Sequence, residues 1–171
     1  GIRIAVIDTG SDTDHQSLND KAFEYALAQL AAGKGMSLDA YIEGLDLLDA
    51  AGIAKVADKL NVTVDPETAH LSTKLPFAYN YKDTDYDVTH DNDEEGEHGS
   101  HVAGIATANS YIPSGEGFVK ALESVYVQGV APEAQLLTMK VFGKGGGPYD
   151  SDYFAAIEDA IVLGADVINL S

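Results

Sequence analysis

The chain has 171 residues, no cysteine and a net charge of −18, from 28 acidic side chains against 10 lysines and arginines. This length suits one domain or most of one, and an apolar fraction of 45 % is enough for a hydrophobic core. The absence of cysteine excludes disulfide bonds and thiolate metal sites. So acidic a chain, without a basic stripe, is a poor partner for nucleic acid. No apolar run reaches the roughly 18 residues of a membrane span.

Residues 2–7 (IRIAVI) form an apolar run that is rich in β-branched side chains and holds one charge. This composition predicts a strand that is buried on both faces of a parallel sheet. The run ends at Asp8, Thr9 and Gly10. Because functional side chains in open α/β sheets collect just beyond the carboxyl ends of the strands, Asp8 is a candidate site residue.

Residues 20–52 are predicted to be helical. Phe23, Leu27 and Leu30 recur at helical spacing, and Gly33 can end this first helix. Ser37 can cap a second helix, which we expect to continue to a stop at Gly52. The apolar stripe of this second helix consists of Leu38, Tyr41, Ile42, Leu45 and Leu48. Residues 53–60 suit a third, short helix.

The rest of the chain alternates strands and helices. Strands are predicted over residues 75–81, 136–142 and 165–170, and helices over residues 98–108 and 151–164. The first of these helices is small and apolar, which predicts burial. The second has an apolar side that consists of Phe154, Ile157, Ala160 and Ile161. The alternation predicts an α/β fold with a parallel sheet and right-handed crossovers.

Two further segments are predicted to be irregular. Residues 83–97 hold eight aspartates and glutamates, which is typical of a solvated loop. Residues 109–124 mix glycine, proline and polar side chains, which predicts a surface excursion.

Two motifs carry the chemistry of the chain. They are AVIDTG at residues 5–10 and EHGSHVAGI at residues 97–105. In this order they resemble the Asp and His signatures of the subtilisin-like serine protease (subtilase) family. Residues 166–171 (DVINLS) are similar to the strand that leads into the family's substrate-binding segment. Residues 75–81 (LPFAYNY) and 129–137 (GVAPEAQLL) are most similar to the lactocepin-type cell-envelope proteinases.

The resemblance implies a three-layer, parallel-sheet subtilisin-like fold that is incomplete in this chain. Residues 1–171 would be the N-terminal portion of the peptidase domain, with a helical insertion at about residues 20–74. The implied activity is that of a serine endopeptidase with an Asp-His-Ser triad and an acyl-enzyme. His98 would be the general base, and Asp8 would orient its ring. The nucleophilic Ser would lie beyond Ser171, and this fragment alone is expected to be inactive.

The resemblance also implies where substrate binds. The backbone of Gly145, Gly146 and Gly147 would pair with an extended peptide, although these glycines could also be only a flexible turn. Ser171 would lie in the substrate cleft. The expected partners are a protein or peptide substrate and the remainder of the catalytic domain, and the expected location is extracellular or on the cell wall. The chemistry requires no cofactor.

Several alternatives stay open. The chain could be an inert peptide-binding module or a pseudoprotease fragment. His98 and His101 could bind a metal, although zinc needs a third protein ligand. Ser17 stands where many subtilisins have a calcium-ligating Asp, which argues against the family's calcium site at that position.

The acidic residues 83–97 offer oxygen ligands for a structural Ca²⁺, but they could equally be a solvated charge run. Five acidic residues lie just before His98, and we expect their field to favour the protonated imidazole and basic substrate residues. The five acidic residues are Asp91, Asp93, Glu94, Glu95 and Glu97.

Overall fold

The computed structural model describes residues 1–91, 93 and 96–171. Its strands are β1 (Arg3–Asp8), β2 (Phe77–Asn80), β3 (Tyr111–Ser114), β4 (Gly117–Lys120), β5 (Gln135–Lys140) and β6 (Val167–Leu170). Its helices are α1 (Asp20–Gly33), α2 (Leu38–Leu45), α3 (Ala50–Ala54), α4 (Pro66–Ala69), α5 (His98–Thr107), α6 (Ala121–Ser124) and α7 (Asp150–Val162). Short 3₁₀ turns lie at Gln16–Leu18 and Ala57–Lys59.

A parallel sheet in the order β2–β5–β1–β6 forms the centre of the molecule. The two middle strands are buried along almost their whole length, as their continuous apolar runs predict. Asp8, at the carboxyl end of β1, lies beside Lys140 of β5, and Ile7 lies beside Leu170 of β6. The carboxyl ends of these three strands therefore meet at one edge of the sheet.

The sheet lies between two helical layers. Ala5 and Ile7 of β1 pack with Ala156 and Ala160 of α7 and with Ile53 of α3. Residues on the other side of the same strands, such as Ile4 and Val6, pack with Ala103 of α5. The predicted α/β fold with a parallel sheet is thus confirmed.

The helices between β1 and β2 follow the prediction at first and then depart from it. Asn19 caps α1 and Ser37 caps α2, each through its side-chain oxygen. The predicted stop at Gly52 is wrong, because α2 ends at Leu45, where Asp46 adopts a left-handed conformation with φ of 49°. Asp49 then accepts a hydrogen bond from the Gly52 N–H and starts α3, so Gly52 lies inside a helix.

The predicted third helix over residues 53–60 is displaced as well. Helix α3 already begins at Ala50 and ends at Ala54, and only the turn Ala57–Lys59 follows it.

The segment 109–124 is more ordered than predicted. It forms the antiparallel hairpin β3–β4 and the short helix α6. Tyr111 and Phe118 of the hairpin each pack 5.0 Å, between ring centroids, from Tyr25 of α1. The hairpin is therefore stabilised by aromatic contacts with a helix some ninety residues earlier in the chain. Such long-range contacts cannot be seen in the local sequence.

The buried face of α7 differs in part from the one predicted. Ala160 is buried as predicted and Ala156 is buried with it, whereas Phe154 and Ile161 are 65 % and 64 % exposed. Small side chains let the helix approach the sheet closely, which turns the bulky ones away from it. Helix α5 buries Gly99, Ala103 and Thr107 but leaves Ile105 exposed.

None of the helices in the described part of the chain has both the length and the apolar character that crossing a membrane requires.

Candidate active site

Asp8 and His98 form a hydrogen-bonded pair. Asp8 is the last residue of β1 and is buried, and His98 is the first residue of α5. His98 Nδ1 lies 2.8 Å from Asp8 Oδ1 and 3.0 Å from Oδ2. Because an ionised carboxylate only accepts hydrogen bonds, Nδ1 carries a proton, and Nε2 is the basic nitrogen of the neutral ring. The imidazole is 57 % exposed, so the ring can reach a reacting group.

The residues after Asp8 hold this pair in place. The Thr9 N–H donates to Asp8 Oδ1 at 2.7 Å, and Thr9 Oγ1 accepts from the Gly99 N–H at 2.9 Å. The turn after β1 is thereby tied to the first turn of α5. A Cβ at Gly99 would lie 2.2 Å from the Gly10 carbonyl oxygen, and Gly10 itself has a φ of 100°. Glycine at both positions therefore permits the close approach that brings His98 to Asp8.

A buried lysine that the sequence did not indicate as part of the site lies beneath the same turn. Lys140 of β5 donates through Nζ to the Thr9 carbonyl oxygen and to the Asp93 carboxylate. The two charged side chains are only 1 % and 3 % exposed. One feature of the sequence could have revealed this residue, namely a lysine within a predicted buried strand. A buried charge needs a partner, so such a lysine predicts an acidic side chain beside it.

This pairing changes the expectation for the acidic residues before His98. Asp93 is neutralised by Lys140 and so adds no free negative charge there. Glu94 and Glu95 lie outside the described residues. The effect of this segment on the imidazole stays a prediction.

Tyr153 of α7 is a second neighbour that the sequence did not indicate. Burial raises the pKa of its phenol, and the negative charge of Asp8 adds to this rise. The phenol is therefore neutral at physiological pH.

Ser171 follows β6 and also reaches Asp8. Its hydroxyl lies 3.1 Å from Asp8 Oδ2 and 2.9 Å from Asn169 Oδ1, and it can donate to either oxygen. The structure thus brings Ser171 to the carboxylate of the pair.

The glycines 145–147 follow β5, whose end lies beside Asp8. Gly145 and Gly146 belong to a tight turn closed by two hydrogen bonds between Gly143 and Gly146, each 3.2 Å long, and Gly147 follows this turn directly. Gly145 and Gly147 are exposed, and Gly146 has a φ of 107°. This turn therefore lies at the same edge of the sheet as Asp8.

His101 does not join the pair. It lines a separate cleft of about 680 Å³, along with Asp12, Ile105, Val127 and Val130. Among the described residues, no group of three or more His, Asp or Glu side chains is arranged to hold a metal ion. The geometry of these residues therefore does not favour the His98–His101 metal pair, whereas a Ca²⁺ ion near residues 83–97 stays a prediction.

Comparison with known proteins identifies the family. The model of the subtilase family matches residues 1–171. The chain is 33 % identical to the PII-type proteinase of Lacticaseibacillus paracasei over its whole length, which is 7 % of that relative. It is 42 % identical to the PI-type proteinase of Lactococcus lactis subsp. cremoris over 60 % of the chain and 5 % of the relative.

A third relative is the minor extracellular protease Vpr of Bacillus subtilis, with 40 % identity over 77 % of the chain and 16 % of that protein. The chain thus spans only a small part of the curated relatives that it matches. The predicted likeness is confirmed, and the chain belongs to the subtilase family.

Proposed function

We propose that this chain supplies the Asp and the His of the catalytic triad of a serine endopeptidase, which hydrolyses proteins or peptides through an acyl-enzyme. The observation that carries the proposal is the 2.8 Å contact between Asp8 Oδ1 and His98 Nδ1, made by residues 90 positions apart. The family match over residues 1–171 supports the same chemistry.

The roles of the two residues follow from their geometry. With Nδ1 held by Asp8, Nε2 of His98 takes the proton of a serine hydroxyl as the oxygen attacks the scissile carbonyl carbon. His98 then returns this proton to the leaving amine, and the ester formed on the serine is hydrolysed by water. The buried carboxylate of Asp8 stabilises the imidazolium that forms in each step, and the Thr9 N–H keeps that carboxylate oriented.

The nucleophile and the oxyanion-hole donors are proposed to lie outside residues 1–171. Ser171 has Asp8 and Asn169 as its hydrogen-bond partners, whereas a nucleophile would face Nε2 of the base. We therefore place Ser171 in the substrate cleft and assign the edge of that cleft to Gly145, Gly146 and Gly147. The remainder of the catalytic domain would complete the site.

The wider setting of the protein is proposed from its relatives. Residues 1–171 would form the N-terminal portion of the peptidase domain, with residues 20–74 as a helical insertion. The name of Vpr includes the word extracellular, and we propose an extracellular or cell-wall location for this protein too. The chemistry uses side chains alone and requires no cofactor.

Covalent labelling by a fluorophosphonate tests the proposal in the natural full-length protein that carries this chain. The unchanged protein should be labelled at its active serine. His98→Ala should abolish labelling, and Asp8→Asn should slow it by a factor on the order of 10⁴, as in other triads. The matched control is His101→Ala, on the same helix, which should keep its labelling. A full-length protein with an intact serine that resists labelling would instead support an inert peptide-binding module.

A further inference from the structure

The segment 143–147, which contains this turn, has little conformational preference of its own. Glycine occupies four of its five positions, and glycine adopts a wide range of backbone conformations. The two hydrogen bonds between Gly143 and Gly146 that close the turn are long, at 3.2 Å each. A segment of this kind becomes a defined edge for a peptide only if neighbouring residues hold it.

Asp83 provides such a hold on the backbone. Its Oδ2 accepts a hydrogen bond from the Lys144 N–H at 3.0 Å. The same oxygen accepts from Asn80 Nδ2 at 3.1 Å, and the Asp83 N–H donates to Asn80 Oδ1 at 3.0 Å. Asn80 is the last residue of β2 and is buried. The carboxylate that holds the turn is therefore itself oriented by the central sheet.

The fit between this carboxylate and the turn is close. A Cβ at Gly143 would lie 2.5 Å and 2.7 Å from the two carboxylate oxygens of Asp83, so another side chain would displace them. Two weaker contacts join the same segments. Lys144 Nζ lies 3.8 Å from Asp87 Oδ2, and Lys82 Nζ lies 3.5 Å from the centre of the Tyr149 ring.

We infer that Asp83 is a positioning residue that holds residues 143–147 as a preformed edge for extended substrates. This inference rests on the proposed function and names the residue that makes its substrate edge. A preformed edge spares the conformational entropy that a free glycine segment would lose when a peptide pairs with it. Asp83 acts through the Lys144 N–H and need not touch the substrate or His98.

The inference predicts a split between long and short substrates. Asp83→Ala should raise KM for an extended peptide by roughly ten- to hundredfold, as expected for the loss of a hydrogen bond to a charged group. Labelling by a small fluorophosphonate should stay within about twofold, because that probe does not need the edge. Asp83→Asn retains an acceptor oxygen and should keep KM close to that of the unchanged protein. This variant therefore distinguishes the role of the hydrogen-bond acceptor from the role of the negative charge. Glu116→Ala removes an exposed carboxylate from the β3–β4 hairpin and serves as the control.

The experiment uses the natural full-length protein, with peptide kinetics and labelling measured on the same preparations. An unchanged KM in Asp83→Ala would overturn the inference, and so would an equal rise in Asp83→Asn. If Asp83→Ala does not fold, Gly143→Ala tests the same contact from the other side and should raise KM in the same way; an unchanged KM in that variant would also overturn it. Failure of the unchanged protein to be labelled would count against the proposed function and is thus distinguishable from a failure of this inference.

Discussion

A single methyl group at Gly99 should disrupt the candidate active site. The Cβ of a Gly99→Ala variant would lie 2.2 Å from the Gly10 carbonyl oxygen, 3.0 Å from the Gly10 nitrogen and 3.1 Å from Asp8 Cβ. Non-bonded contacts are favourable only at roughly 3.5 Å, so the first turn of α5 must move by about 1 Å. The neighbouring His98 moves with it, and its 2.8 Å contact with Asp8 is stretched beyond hydrogen-bonding distance.

The expected magnitudes follow from this displacement. Overpacking a close contact costs about 1–3 kcal/mol of unfolding free energy. A misplacement of about 1 Å in a catalytic group can lower its rate by about 100-fold. We therefore expect Gly99→Ala to lose about 100-fold in the rate of fluorophosphonate labelling and to unfold at a lower urea concentration.

Gly104→Ala is the matched control. Gly104 lies on the same helix, and nothing lies within 4 Å of the position that its Cβ would take. Alanine in a helix should stabilise the protein by about 0.5–1 kcal/mol without changing the labelling rate. If Gly99→Ala were labelled as fast as the unchanged protein, close packing of α5 on the Asp8 turn would not be what holds the pair together.

Three further predictions concern buried charges and use urea unfolding of the full-length protein. Asp159 is a buried residue of α7. Burial raises the pKa of its carboxyl above the usual 3.8, so its contribution to stability is complete below pH 3.8 and is lost as the pH rises through the folded-state value. Asp159→Asn should therefore raise the unfolding free energy at pH 7 but not at pH 3. Lys74 is buried just before β2. Burial lowers its pKa from 10.5 to about 7, so its contribution is complete above pH 10.5 and is lost as the pH falls towards 7. The unchanged protein should gain stability relative to Lys74→Met between pH 7 and 10. Lys140→Met leaves the buried Asp93 without its partner and should cost about 3–5 kcal/mol.

Each of these predictions has an outcome that contradicts it. If the difference in unfolding free energy between the unchanged protein and Asp159→Asn stayed constant across pH 3–7, burial would not be what raises the pKa of that carboxyl. If the difference in unfolding free energy between the unchanged protein and Lys74→Met did not change between pH 7 and 10, burial would not be what lowers the pKa of Lys74. The double variant Lys140→Met/Asp93→Asn should recover most of the loss, and an additive loss would mean that the two side chains do not interact.

Much of the fold and the central pair of the site could be predicted from local sequence. Short apolar runs predicted the strands of the sheet, and helical spacing with capping residues predicted α1 and the start of α2. Asp8 at the end of a strand and His98 at the start of a helix stood out because their motifs are short and contiguous. Such patterns depend on residues only a few positions apart, which is why one sequence shows them.

The contacts that hold the site together depend on the order of the strands in space. Lys140 meets Asp93, and Lys144 meets Asp83, across 47 and 61 residues of sequence. No local period marks these pairs, because each forms only once β2, β5 and β1 lie side by side. Phe154 and Ile161 of α7 were wrongly predicted to face the sheet for a related reason, since close approach to the sheet favoured small side chains over these bulkier ones. Local sequence thus determined the elements and the chemistry-bearing residues, whereas tertiary packing decided which charges and backbone groups meet.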